Sequence, residues 1–147
     1  MTAAELDLFL QASVRLGIPL ALAALGETIS ERSGVINIGL GGAVGAGGLG
    51  GALAARAVES AGLGVVGGAA AGLAIAAVFA VFAIGVGADQ IITGTAITIG
   101  GLGITGAVYQ ARFGATGTEL SLPTLAAVGI PGLERIPVIV SALFAQA

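Results

Sequence analysis

Residues 26–42, GETISERSGVINIGLGG, are the stretch on which the reading of this chain turns. They hold Glu27, Glu31 and Arg32, three of the thirteen charged residues, with Asn37 just beyond, and long apolar runs begin on both sides. A polar string between two apolar runs reads as a connection between membrane spans, and this one has internal structure. Thr28-Ile-Ser-Glu31 has capping-box form, Thr28 closing a helix start while Glu31 reaches back to it. Gly34 is placed to stop that turn as a C′ glycine. The expectation is a short capped turn at the membrane boundary, with Asn37 its best candidate for facing a path between helices.

The composition around it sets the class. The 147 residues are 56% hydrophobic and 9% charged, with a mean hydropathy of +1.09. A soluble domain carries roughly 25% charge, so there are too few charges to coat a water-facing surface. The 27 glycines are more than double the usual ~7% share. Without a three-residue glycine period they indicate closely packed transmembrane helices. The fold expected is an all-α integral membrane protein, a multi-span Gly/Ala-rich helix bundle. A net charge of −3 and the lack of any lysine argue against nucleic acid. The first fourteen residues carry Glu5 and Asp7 but no base, unlike a cleavable signal peptide.

Four spans are expected. The first covers residues 8–26 and contains Arg15 and Pro19. The second, 35–55, carries the small-residue pairs Gly41/Gly45 and Gly47/Gly51, and a polar turn at 56–60 closes it. The third, 61–87, repeats the small stripe at Gly64, Gly68 and Gly72, with Phe79 and Phe82 facing lipid or a neighbour. Asp89 is placed as the N-cap of the fourth, 91–110. At 100° per residue, Gln90, Gly94, Thr98, Gly101 and Thr105 share an arc of about 80°. Either the hydroxyls bond their own helix beside a glycine contact face, or the stripe lines a polar path. The path candidates are Asn37, Gln90, Thr93, Thr98 and Thr105. A long Pro/Gly-rich connection follows at 112–135, and an apolar run from Ile136 begins a fifth span.

No catalytic set can be assembled. There is no histidine or cysteine, and no GxSxG, HExxH or GxxxxGK[ST] pattern. Loose GxGxxG matches in the second span follow from composition alone. Glu27 and Glu31 sit one helical turn apart, and interfacial capping with pairing to Arg32 accounts for them. The chain is expected to move or hold something and not to transform it, with no cofactor or metal.

With the spans placed, the polar stretches resemble permease subunits of ABC importers for simple sugars and nucleosides, in the group that includes branched-chain amino acid permeases. Residues 26–42 resemble that family's G…SERSGV(V/I)NIGLEG opening. GADQIITGTAITI at 87–99 is similar to its ADQI(I/V)(T/S)G.A.N segment, and IPGLERIPV at 130–138 to its IPGLSDIPVLG loop. Gly41 stands where the family usually has Glu, and Thr98 where Asn is common. The resemblance implies the N-terminal part of a single transmembrane permease domain about twice this long, whose ATPase-docking segment lies beyond Ala147. It implies a multi-pass protein in the plasma (inner) membrane of a prokaryote. Its partners would be a second permease, a cytoplasmic ATP-binding subunit, an extracytoplasmic substrate-binding lipoprotein and membrane lipid. Transport would proceed by alternating access, for a nucleoside, a simple sugar or a branched-chain amino acid. A non-transporting Gly-zipper scaffold is the competing reading from another class. The positive-inside rule places Arg56, Arg112 and Arg135 in the cytoplasm, whereas the resemblance implies the reverse orientation.

Overall fold

The computed structural model describes residues 2–114 and 121–125, and the regular structure among them is entirely helical. Two compact units divide the chain, the first containing Met1–Leu25 and the second Gly26–Pro123. Helix α1, Ala3–Arg32, is 30 residues long, or about 45 Å. A capping box does open it, but at Thr2 and Glu5. Thr2 N donates to Glu5 Oε2 at 2.8 Å and Glu5 N to Thr2 Oγ1 at 3.3 Å. The box expected at Thr28 and Glu31 is therefore corrected, because both lie inside α1. Nothing before Thr28 breaks the helix; Gly26 costs only about 1 kcal/mol against alanine. Gly34 ends the helix with φ +80. Its N–H bonds Glu31 O at 2.9 Å, and Val35 N bonds Ser30 O at 3.1 Å, the paired bonds of a Schellman motif.

Residues 35–39 are not helical, so α2, Leu40–Val58, starts five residues later than the 35 expected. Arg56 lies in its last turn, and Glu59 closes it with a left-handed φ of 50. Ser60 then caps α3, Ala61–Ala80, accepting from Leu63 N. The third apolar segment is not uniform: its final turn, Val81–Gly85, is π-helical. Phe79 is buried and Phe82 is half exposed. Helix α4, Gln90–Phe113, takes in Arg112, which removes that residue from the connection. Among the described residues three segments are long and apolar enough to cross a membrane: Glu5–Arg32, Ala61–Gly85 and Gln90–Phe113. The 19 residues of α2 include seven glycines and one arginine, and α2 is not among these three. Most of the 112–135 connection and the fifth apolar run lie outside the described residues.

Within the second unit, α2 is the central element. Gly47 meets Gly68 and Gly72, Gly51 meets Gly64 and Gly68, and Ala55 meets Gly64, so α3 runs antiparallel to it. Gly42 meets Ile97 and Gly101, Gly45 meets Leu102 and Thr105, and Arg56 lies over Phe113, so α4 runs parallel to it. The glycines of α2 thus serve two partners: Gly41 and Gly45 face α4, Gly47 and Gly51 face α3. Backbone also meets backbone on both sides, through Gly42 toward α4 and through Gly47 and Gly51 toward α3. A Cβ on Gly42 would stand 2.6 Å from Ile97 O, and one on Gly51 would stand 3.1 Å from Gly64 O. Large apolar residues such as Leu73, Ile92, Ile99 and Ile104 are exposed instead. Small residues inside and large ones outside is the arrangement of helices packed in lipid.

Candidate functional site

The segment 35–39 lies along the first two turns of α4. A Cβ on Gly94 would fall 2.8 Å from Gly39 N and 2.9 Å from Ile38 Cβ, so only glycine there lets the strand of chain approach. Helix α2 begins level with Ile97, seven residues into α4 and about 10 Å along it. Non-helical backbone at that depth has no water to bond, so its polar groups need protein partners. They find them in three side chains. Gln90 Oε1 accepts from Ile36 N at 2.7 Å, Glu27 Oε1 accepts from Asn37 N at 2.8 Å, and Thr98 Oγ1 donates to Ile38 O at 2.7 Å. Consecutive residues are tied from α1 and α4 alternately.

Asp89 sits just before this contact, with Oδ1 accepting from Ile91 N and Ile92 N, both at 2.9 Å. Of the path candidates, Gln90 and Thr98 thus face the linker backbone, and Asn37 belongs to that linker. Asn37 Oδ1 and Glu27 Oε2 are both buried without a hydrogen-bond partner. Thr93 is half-buried on α4. The two positions where this chain departs from the resembling pattern turn out to be neighbours: a Cβ on Gly41 would lie 3.2 Å from Thr98 Cγ2. The threonine methyl fills space that a larger residue at 41 would occupy.

Thr105 lies elsewhere. It lines a cleft of about 510 Å³ between α2 and α4, with Leu49, Leu102, Tyr109 and Gln110 among the walls. The lining is mostly apolar, and its polar groups are one hydroxyl, one phenol and one amide. Tyr109 and Gln110 were not among the sequence candidates. Tyr109 follows Thr105 by four residues, so extending the arc by about 20° would have reached it. Toward the C-terminal ends of α2 and α4, Tyr109 and Phe113 stack with centroids 5.2 Å apart at 49°, and Arg56 lies 5.5 Å over the Phe113 ring. Among the described residues no group of three acids suited to a metal occurs.

Residues 9–129 match a family model described as branched-chain amino acid transport system / permease component. The chain is 32% identical to the guanosine ABC transporter permease protein NupQ of Bacillus subtilis, over 96% of this chain and 46% of that relative. It therefore spans about half the length of the curated relative it matches. No solved structure matches it.

Proposed function

The chain belongs to the branched-chain amino acid transport system permease family, a family of transport components, and from that premise we propose that it forms part of the translocation path of an ABC importer for a neutral polar solute. It is a multi-pass membrane protein, with α2 as a fourth, shorter membrane segment beside the three long ones. The solute class we favour is a nucleoside, with a simple sugar next. The observation that carries this choice is the α2–α4 cleft. No charged side chain lines it among the described residues. A zwitterionic amino acid would lose hydration from two charges there without compensation, whereas a neutral ring can lie on Tyr109. Gln110 and Thr105 supply donors and acceptors that impose no charge barrier.

In this reading Asn37, Gln90, Thr93 and Thr98 shape the upper path through the linker they hold or adjoin, and Thr105 lies on the path itself. The protein works in the plasma membrane of a prokaryote with a second permease, a cytoplasmic ATP-binding subunit and an extracytoplasmic binding lipoprotein. ATP hydrolysis belongs to the partner, and alternating access moves the helices around the cleft. Similarity to a guanosine permease supports the nucleoside choice. The test is binding-protein-dependent uptake by the assembled transporter. Tyr109→Ala should raise the KM for nucleoside while Tyr109→Phe preserves it. Unchanged uptake in a Tyr109→Ala/Gln110→Ala double variant would remove the cleft from the path. Unchanged uptake in Asn37→Ala/Gln90→Ala would remove the linker.

A further inference from the structure

A second hollow, of about 210 Å³, lies next to the cleft, at the C-terminal ends of the same helix pair, and is lined by Leu53, Arg56, Arg112 and Phe113. Two of the five arginines of this lysine-free chain converge on it from different helices. Each occupies the last turn of its helix, where a cation is favoured by the carbonyl end of the dipole. That accounts for either arginine alone, but not for both lining one hollow. Like charges brought together repel unless an anion lies between them. Among the described residues no acid is in the lining; Glu59, the nearest in sequence to Arg56, stands outside it.

We propose that this hollow binds the phosphodiester of an anionic phospholipid. Arg56 lies 5.5 Å over the Phe113 ring, and the planar fork of a guanidinium matches two phosphate oxygens. Phe113 is itself braced by Tyr109. The floor is apolar, Leu53 and Phe113, and suits the glycerol and first acyl carbons. The level also fits. Parallel α2 and α4 finish together here, where α4, one of the membrane-length helices, reaches the interface at which headgroups lie. A soluble phosphate shares the charge but has nothing to place on that floor. The proposal does not depend on the solute carried.

The test uses the full chain in a zwitterionic detergent, with bound lipid read by native mass spectrometry. Phosphatidylglycerol should be retained in preference to phosphatidylcholine. Arg56→Gln and Arg112→Gln should each weaken retention roughly fivefold, and Arg32→Gln, at the opposite end, should leave it unchanged. Free glycerol phosphate should not displace the lipid. Should either hollow variant fail to fold, the unaltered chain still decides: rising salt must release phosphatidylglycerol. Equal retention of both lipids, equal loss with Arg32→Gln, displacement by glycerol phosphate, or salt-independent retention would each overturn the proposal.

Discussion

Thr98 shows how much a single hydroxyl does in this protein. Its Oγ1–H bonds Ile38 O at 2.7 Å, across sixty residues of sequence, while its methyl packs at Gly41. Thr98→Val keeps the shape and leaves the carbonyl unpaired, which should cost about 1–3 kcal/mol; Thr98→Ser should cost less. Thermal unfolding of the purified protein in detergent distinguishes them. Glu27 offers a similar contrast. Glu27→Gln retains an oxygen for Asn37 N, whereas Glu27→Leu removes it and should destabilise by a comparable amount. Asp89→Ala should cost about 1 kcal/mol through the lost cap. None of these long-range ties is legible in sequence. Thr98 and Gln90 belong to an evident stripe, but what the stripe faces is set by where the chain breaks at 35–39. That break depends on partners far away in the chain.

At the scale of elements, the glycine faces were legible and their assignment was not. Spacing of four marked Gly41/Gly45, Gly47/Gly51 and Gly64/Gly68/Gly72 as packing surface; the structure places backbone against the last two sets and the side chains of Thr98 and Leu102 against Gly41 and Gly45. Spacing puts about 200° between Gly45 and Gly47, so the two α2 pairs face opposite sides, but it does not tell which helix each pair meets. The capping box failed for a related reason. The S/T-x-x-E pattern occurs twice at α1, and only Thr2–Glu5 precedes the helix. The pattern identifies a possible start; the surrounding helix decides which is used. The faces make a sharp prediction. Gly42→Ala puts its Cβ 2.6 Å from Ile97 O and should destabilise by about 1–3 kcal/mol. Gly100→Ala meets open space within 4 Å and should be neutral or slightly stabilising. Parallel melts of the two variants by circular dichroism read the difference.

For the whole molecule, composition alone was enough to establish a membrane helix bundle, because charge content and apolar length are global quantities. The late start of α2 was not visible, since residues 35–39 are as apolar as the helix that follows. Topology can be read directly, because the chain contains no cysteine and single cysteines can be introduced at will. Ser33→Cys beyond α1 and Glu59→Cys beyond α2 should label from opposite faces of sealed vesicles, with Ser33→Cys accessible from the cytoplasm. Labelling from the same face would contradict α2 crossing the membrane. The backbone-to-backbone seams also carry an evolutionary cost. Contacts made by the absence of side chains leave selection nothing smaller to try, so every coding change at Gly42, Gly51, Gly64 or Gly67 adds atoms to a filled seam. The lipid-facing leucines and isoleucines can drift among many apolar alternatives. Mutational tolerance in this protein should therefore run opposite to bulk, with the lightest residues the least replaceable.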